Sequence, residues 1–244
     1  MKRINNVLGY SNMKIIQDSD YFSFSLDSII LANYSKIRFR DNKIVDFCTG
    51  NGVVPLILSR RCDKDIDAVE IQEKVFKLAE ETISLNNLSD RIHLYCMDVK
   101  DYSLIQDNLS KYDVVLCNPP YFKNNVNSTK NISYEKMIAR HEILLDLDEL
   151  CHCASLVLKD NGNLFIVHRS ERLLDIFDSF RKYHIEPKRI MFVYENINKE
   201  STLVLVEGQL AGKVGLTIDK PLIMYNLDGT MTEEYKKLQE EVRK

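Results

Sequence analysis

The sequence lacks the features that mark membrane, secreted and repetitive proteins. No apolar run approaches the roughly eighteen residues of a membrane-spanning helix. The N-terminal segment MKRINNVLGYSNMK has no apolar core of the kind found in signal peptides. Internal repeats and low-complexity tracts are also missing. We therefore expect a globular protein that is located in the cytoplasm and has no membrane partner.

Zinc-binding spacings are missing as well. None of the six cysteines forms a CxxC pair, and the five histidines show no HxxxH or similar spacing. We therefore predict no metal site. Cys48, Cys96 and Cys117 lie in or beside apolar runs, and we predict that they are reduced core residues.

Composition and charge leave the class of partner open. A hydrophobic content of 45% is ordinary for a globular protein, and 244 residues suffice for one α/β domain of ordinary to large size. The formal net charge is −3, from 33 basic and 36 acidic residues. This balance disfavours a protein that coats nucleic acid non-specifically, but it is compatible with an enzyme that has one local basic surface.

Short apolar runs alternate with helical stretches from Lys43 to Val167, which indicates parallel strands joined by helices. The predicted strands of this region are Ile44–Cys48, Ile66–Ile71, Ile92–Met97, Tyr112–Cys117 and Leu164–His168. The predicted helices of the chain are Ser28–Tyr34, Val53–Arg61, Gln72–Asn86, Leu145–Leu158, Glu171–Tyr183 and a short one from Thr232. Two later runs, Ile190–Tyr194 and Thr202–Glu207, are too close together for a helical crossover, so they must pair as an antiparallel hairpin.

The turn after the first predicted strand, DFCTGNG at residues 46–52, has the composition of a ligand-binding loop. Glycines let the backbone approach a ligand closely, and the helix that follows presents unpaired N–H groups at its start. A dinucleotide-binding motif would need glycine where Cys48 and Val53 stand. The less strict methyltransferase pattern, D-x-G-x-G-x-G, is broken only at Cys48, which replaces its first glycine. The methyltransferase interpretation therefore fits better.

Acidic residues lie at or directly after the C-terminal ends of three successive predicted strands: Asp46, Glu70 and Asp98. Ligands bind at the carboxyl ends of strands in open α/β sheets, so three acidic residues at successive strand ends favour a common ligand site. Glu70 lies where a carboxylate accepts hydrogen bonds from both ribose hydroxyls. Each residue taken alone is also typical of a helix cap or a solvated turn.

The fourth predicted strand ends in Asn118-Pro119-Pro120-Tyr121. An exocyclic amine is a poor nucleophile because its lone pair is delocalised into the ring, and acceptors on both of its N–H groups favour a pyramidal nitrogen. Asn118 offers a side-chain oxygen and Pro119 a carbonyl, while Tyr121 offers a face on which a displaced base can stack. The motif predicts catalysis by positioning, without a strong general base. The alternative is that the prolines only end the strand.

Together, the 46–52 turn and the NPPY motif make the chain resemble the class I amino-methyltransferases. The run KIIQDSDYFSFSLDSIILA at residues 14–32 and the segment ARHE at 139–142 are similar to the bacterial tRNA(Val) adenine-37 N6-methyltransferases. The resemblance implies a Rossmann-like α/β fold, in which a mostly parallel seven-stranded sheet ends in an antiparallel hairpin and has helices on both faces. It also implies S-adenosylmethionine as cofactor, N6-methylation of an adenosine in tRNA, and a monomer.

The resemblance implies roles for further residues. Phe24, Ser25 and Asp27 would close over the methionine end of the cofactor, although Ser25 and Asp27 are equally suited to capping the next helix. Asp98 would contact the adenine amine of the cofactor. The predicted cofactor-binding residues are Phe24, Ser25, Asp27, Asp46, Gly50, Gly52, Glu70, Asp98 and Asn118.

A polar, irregular segment, residues 122–142, is predicted to form a long loop beside the site. Its local positive excess suits RNA phosphates, with a merely solvated loop as the alternative. The predicted RNA-binding residues are Lys123, Lys130, Lys136 and Arg140. We divide the chain into an N-terminal cap segment packed on the catalytic domain (1–40), the methyltransferase domain (41–210) and a charged C-terminal tail (211–244).

Two alternative functions stay open at this point. The NPPY motif would serve a glutamine amide equally well, as in N5-glutamine methylation of a release factor. Those enzymes usually carry a helical N-terminal domain, whereas only about 40 residues precede the first predicted strand here. Guanine N2 methylation of rRNA is a weaker version of this first alternative. A non-catalytic S-adenosylmethionine-binding module is the second alternative, and the intact NPPY motif argues against it.

Overall fold

The computed structural model describes residues 2–7, 10–18, 26–119 and 145–239. The strands are β1 (Lys2–Val7), β2 (Tyr10–Asp18), β3 (Lys43–Phe47), β4 (Asp65–Glu70), β5 (Ile92–Cys96), β6 (Tyr112–Cys117), β7 (Leu158–Arg169), β8 (Ile185–Tyr194), β9 (Ser201–Leu210), β10 (Thr217–Ile218) and β11 (Leu222–Ile223). The α-helices are α1 (Leu26–Tyr34), α2 (Val53–Arg61), α3 (Glu73–Leu85), α4 (Val99–Leu104), α5 (Leu147–Val157), α6 (Leu173–Lys182) and α7 (Glu233–Gln239). None of these helices is long and apolar enough to cross a membrane.

One mixed sheet organises the molecule. Its strand order is β10-β8-β9-β7-β6-β3-β4-β5, and β11 also pairs with β8. Every pairing is parallel except those of β9, which runs antiparallel to both β7 and β8. The predicted hairpin of Ile190–Tyr194 with Thr202–Glu207 is therefore confirmed, as is the predicted sheet of seven long strands. The two-residue strands β10 and β11 extend it beyond β8.

The central strands alternate their side chains between two apolar cores, one on each face of the sheet. Ile44 and Val114 belong to a core that includes residues of α1, α2 and α3. Val45 and Val115, their neighbours along the same strands, belong to a core built with α4, α5 and α6. Burial on both faces explains why the strands are continuous apolar runs. The predicted α/β class with helices on both faces is confirmed.

An N-terminal hairpin of β1 and β2 is the main element that the sequence did not predict. It packs on α3, where the Ile16 amide donates to Thr82 Oγ1 at 3.1 Å. The Asn86 side chain bonds both backbone groups of Lys14, accepting from its N–H at 3.0 Å and donating to its carbonyl at 2.6 Å. β1 reads Lys-Arg-Ile-Asn-Asn-Val and shows no alternation of apolar residues, so its pattern gave no strand signal.

Helix α1 is anchored firmly at its C-terminal end. The guanidinium of Arg189 lies 3.8 Å from the ring centre of Tyr34 and donates to the Tyr34 carbonyl at 2.8 Å. Tyr34 returns a hydrogen bond from its hydroxyl to the Arg189 carbonyl at 2.9 Å. Arg189 also pairs with Glu207 at 2.7 Å, and both side chains are buried. This network joins α1 to β8 and β9, and it fixes the helix that leads to the predicted site.

One local prediction is wrong, and one short helix was not predicted. Cys96 is exposed, whereas we predicted a core residue, because β5 lies at the edge of the sheet. Helix α4 was not predicted, since six residues are too few to show an amphipathic pattern. The division of the chain at residues 40 and 210 stays a prediction.

Candidate cofactor and substrate site

The parallel register brings the predicted site residues to one edge of the sheet. Asp46 pairs with Ala68 of β4 and with Leu116 of β6. Glu70 is the last residue of β4 and Asn118 follows directly after β6. Because parallel strands end at the same edge, Asp46, Glu70 and Asn118 belong to one region, which we call the carboxyl edge. The register brings these three residues to one edge, and their roles in binding and catalysis stay predictions.

The turn after β3 is shaped by left-handed backbone conformations. Gly50 has φ +60° and Gly52 has φ +84°, which glycine adopts without steric cost. A side chain at Gly50 would meet no heavy atom within 4 Å, so backbone conformation rather than crowding requires the glycine. Cys48, which replaces the expected first glycine, also has a positive φ of 56°. An L-residue pays roughly 1–2 kcal/mol in that conformation, so this position is strained.

Glu70 ties the turn to the neighbouring strand. Its Oε2 accepts the amide of Gly50 at 2.9 Å, and its Oε1 accepts the amide of Gln72 at 2.9 Å. The Thr49 amide donates to the carbonyl of Val69 at 3.0 Å. Each carboxylate oxygen has a second acceptor site, so Glu70 can hold the turn and still accept hydrogen bonds from a ligand.

Asp46 is a buried carboxylate with unsatisfied oxygens. The residue is 1% exposed, and neither carboxylate oxygen has a hydrogen-bond partner within the described ranges. Burial raises the pKa of Asp46 to about 8; the Thr49 hydroxyl, which is close but makes no hydrogen bond of normal geometry, offsets part of the rise, and the charge of Glu70 adds to it. Burial also raises the pKa of Glu70, whose backbone hydrogen bonds offset part of the effect. Two buried carboxylates in one region favour a cationic or proton-donating ligand.

Asp98 has a defined structural role at the start of α4. Its carboxylate caps the helix by accepting the Lys100 amide at 2.8 Å, and it lies 3.8 Å from the Lys100 ammonium. The capping alternative considered for Asp98 is therefore present in the structure. A contact with the cofactor stays a prediction, because a carboxylate can accept more than one hydrogen bond.

The side chain of Asn118 is held by a residue that is distant in the sequence. Its Nδ2 donates to Ser28 Oγ of α1 at 2.8 Å. Ser28 follows Asp27 in the first turn of α1, where an acidic side chain interacts favourably with the helix dipole. Pro119 is buried beside Asn118. Helix α1 therefore packs directly on the first residue of the NPPY motif.

Two residues of this region, Asn51 and Ser28, were not singled out from the sequence. Asn51 is buried in the turn after β3, and its Nδ2 donates to the carbonyl of Ile16 in β2 at 3.2 Å. This bond fastens the N-terminal hairpin to the turn. Both contacts join segments far apart in sequence, so no local spacing could have shown them.

Several predicted residues lie outside the described part of the chain. They are Phe24, Ser25, Tyr121, Lys123, Lys130, Lys136 and Arg140. Their assignments stay predictions, as does the loop at 122–142. Across the residues that are described, no group of three His, Cys, Asp or Glu side chains could hold a metal ion.

Comparison with known proteins finds one family model over most of this chain. The model, described as the methyltransferase small domain, matches residues 13–185. A tRNA1(Val) (adenine(37)-N6)-methyltransferase of Bacteroides fragilis (strain YCH46) is 30% identical over 172 residues, or 70% of this chain and 69% of that protein. The enzyme of the same description from Actinobacillus pleuropneumoniae serotype 5b is 27% identical over 234 residues, or 92% of this chain and 91% of that protein.

Solved structures of methyltransferases share the fold. A predicted O-methyltransferase from Agrobacterium tumefaciens matches with a TM-score of 0.69 and 18% identity, covering 88% of this chain and 95% of that one. Pyrococcus horikoshii TYW2, solved in complex with MeSAdo, matches with a TM-score of 0.60 and 17% identity, covering 85% and 70%. At these identities the likeness shows the fold alone, and that fold is the one predicted.

Proposed function

Because the chain belongs to the methyltransferase small domain family and groups with the tRNA1(Val) (adenine(37)-N6)-methyltransferases, we propose that it methylates N6 of adenine 37 in that tRNA. The cofactor is S-adenosylmethionine. The observation that carries the proposal is the common location of Asp46, Glu70 and Asn118 at the carboxyl edge. We further propose that the enzyme is a cytoplasmic monomer.

The carboxyl edge fits this cofactor chemically. S-adenosylmethionine has a cationic ammonium group and a ribose with two hydroxyl donors, and when bound it supplies an electrophilic methyl group on a sulfonium. The two buried Asp46 oxygens, without a partner among the described residues, suit a cation or a proton donor. Glu70 can add the ribose hydroxyls to its backbone bonds. The turn with Gly50 and Gly52 lets the backbone approach closely.

The residues after β6 would prepare the target amine. Asn118 Oδ1 and the Pro119 carbonyl each accept one N–H of the adenine amine, which favours a pyramidal nitrogen with a directed lone pair. Pro119 has a fixed φ and no N–H, so the backbone of this turn is rigid. Tyr121 stacks on the base after it leaves the RNA stack. The nitrogen becomes acidic as it is methylated, so its proton passes to water without a strong base.

Glu70→Ala tests the cofactor assignment. We expect S-adenosylmethionine binding to weaken by about 1.5–3 kcal/mol, the scale of hydrogen bonds that involve a charged group. Part of the loss would come from release of the Gly50 amide, which Glu70 holds. Titration calorimetry measures the effect, with Glu73→Ala on the exposed start of α3 as control. Unchanged affinity in a folded Glu70→Ala protein would remove Glu70 from the site.

Reversal of the four basic residues of the 122–142 loop tests the RNA surface. Changing Lys123, Lys130, Lys136 and Arg140 to glutamate should weaken binding to all tRNAs and reduce the salt dependence of the affinity. The reason is that phosphate contacts release counterions and carry no sequence information. Filter binding at several salt concentrations measures both quantities. If tRNA affinity is untouched, the binding surface lies elsewhere, and charge reversal in the tail from Lys213 to Lys237 is the next test.

The reaction itself is tested with methyl-labelled S-adenosylmethionine and three acceptors. We expect label in tRNA that lacks the modification and none in a release factor or in ribosomal RNA. Label in the release factor would favour glutamine methylation, and label in guanine of ribosomal RNA would favour N2 methylation. Cofactor binding without transfer to any acceptor would favour a binding module.

A further inference from the structure

We infer that Ser28 is a positioning residue that sets the orientation of the Asn118 amide. The inference rests on the proposed function, since it concerns how Asn118 meets the target amine. The contact is a 2.8 Å hydrogen bond from Asn118 Nδ2 to Ser28 Oγ, between residues ninety positions apart in the chain. The NPPY motif contains no residue of α1, so the motif alone does not define how its asparagine is oriented.

Orientation matters because the two ends of a carboxamide have opposite hydrogen-bonding character. Oδ1 accepts, while Nδ2 only donates. An adenine amine presented to Nδ2 would face a donor with a donor, and the pyramidal geometry would lose its support. The terminal torsion of asparagine is broad and roughly two-fold, so the side chain alone does not choose between the two orientations. In the structure Ser28 Oγ accepts from Nδ2, and this pairing leaves Oδ1 as the amide atom with the acceptor character that the reaction requires.

The position of Ser28 is itself rigid. Its side chain belongs to a buried residue, 7% exposed, on a helix rather than on a loop. The far end of α1 is held by Arg189, which donates to the Tyr34 carbonyl, and Arg61 donates to the Ser35 carbonyl at 3.0 Å. A hydrogen bond in such a low-dielectric surrounding is strong and directional. Helix α1 is therefore anchored to the rest of the protein at its C-terminal end, and it holds Ser28 in a fixed position beside Asn118.

Ser28→Ala is the first test variant. We expect kcat for methylation of tRNA to fall about 10- to 100-fold, the scale of a misaligned reacting group. The KM for tRNA and the Kd for S-adenosylmethionine should stay within about three-fold, since the inference gives the serine hydroxyl a contact with Asn118 and none with either ligand. Ser59→Ala is the matched control: Ser59 is buried on α2 and its hydroxyl donates to the Leu56 carbonyl at 2.7 Å. Its kcat should equal that of the wild type.

A second pair of variants keeps the test valid if alanine destabilises the protein. Ser28→Thr keeps the hydroxyl. Ser28→Val has nearly the same shape as the threonine variant but has a methyl group in place of the hydroxyl. We expect Ser28→Thr to restore most of kcat and Ser28→Val to behave as Ser28→Ala does. Equal kcat for the threonine and valine variants would overturn the inference, because shape rather than hydrogen bonding would then decide.

Two further measurements separate positioning from a merely structural role. Ser28→Ala should shift the side-chain amide resonances of Asn118 in ¹⁵N-correlated spectra, and Ser59→Ala should not. In an Asn118→Ala background, Ser28→Ala should add no further loss of kcat, because its effect passes through that amide. Additive losses, or wild-type kcat in Ser28→Ala, would overturn the inference. A wild-type protein without tRNA methylation would overturn the proposed function instead, while the amide resonances would still report on the Ser28 contact.

Discussion

Asn118→Ala should lower the rate of methyl transfer by about 10²–10³, comparable to the loss of one preorganised electrostatic partner. In the proposed mechanism the Asn118 oxygen acts chiefly in the transition state, when the amine becomes pyramidal, so its removal should affect the chemical step more than ligand binding. The rate is measured in single-turnover experiments on an RNA that contains the target adenosine. Calorimetry on the same variant should show almost unchanged affinity for S-adenosylmethionine.

The control for this variant is Asn42→Ala, an exposed asparagine at the opposite end of β3. Its transfer rate should match the wild type. Full activity of Asn118→Ala would mean that the turn after β6 is only structural, and the assignment to amino-group methylation would fall with it.

Asp46→Asn should weaken cofactor binding and at the same time stabilise the cofactor-free protein at alkaline pH. The substitution keeps the shape of the side chain but removes a carboxylate that is fully buried. In the proposed site Asp46 contacts the cationic cofactor, so its replacement should weaken S-adenosylmethionine binding by about 3 kcal/mol or more, roughly a hundred-fold. The cofactor-free variant should nevertheless be more stable than the wild type at alkaline pH, by about 1–3 kcal/mol.

The sign of the stability change follows from the raised pKa of Asp46. Its pKa of about 8 exceeds the ordinary value near 4, so the folded protein holds a proton that the unfolded chain releases. The wild type therefore loses stability as pH rises from about 4 to about 8, and Asp46→Asn should lack this loss. Denaturant unfolding of both proteins between pH 5 and pH 9 measures the difference.

Asp65→Asn, at the exposed start of β4, is the control for the pH experiment. Its stability should follow the wild type across the pH range. A constant difference between Asp46→Asn and the wild type would show that Asp46 is ionised throughout. Unchanged cofactor affinity in Asp46→Asn would remove Asp46 from the site.

The sheet was predictable from sequence because its strands are buried on both faces. Runs such as Tyr112–Cys117 are continuous and apolar, and short turns with glycine or proline bound them. The common location of the candidate site residues was predictable for a related reason: residues at the carboxyl ends of parallel strands must lie at one edge. Asp46, Glu70 and Asn118 could thus be placed together without coordinates.

Contacts between distant segments were not predictable. The bond from Asn51 to Ile16 joins a turn to a hairpin whose first strand is polar, and the bond from Asn118 to Ser28 joins β6 to α1. Such contacts depend on how elements pack, and hydrophobic periodicity does not record packing partners. Asp98 shows a second limit of sequence analysis. An acidic residue after a strand can cap the next helix, as Asp98 does, and its position alone does not show whether it also contacts the cofactor.

The central claim, N6-methylation of adenine 37 in tRNA1(Val), is tested most directly by mass spectrometry of that tRNA from cells with and without the gene. We predict N6-methyladenosine in the anticodon-loop fragment that contains position 37 when the gene is present, and unmodified adenosine when it is deleted. A plasmid copy should restore the modification, whereas a copy with Asn118→Ala should not. Undiminished N6-methyladenosine at position 37 in the deletion strain would contradict the account.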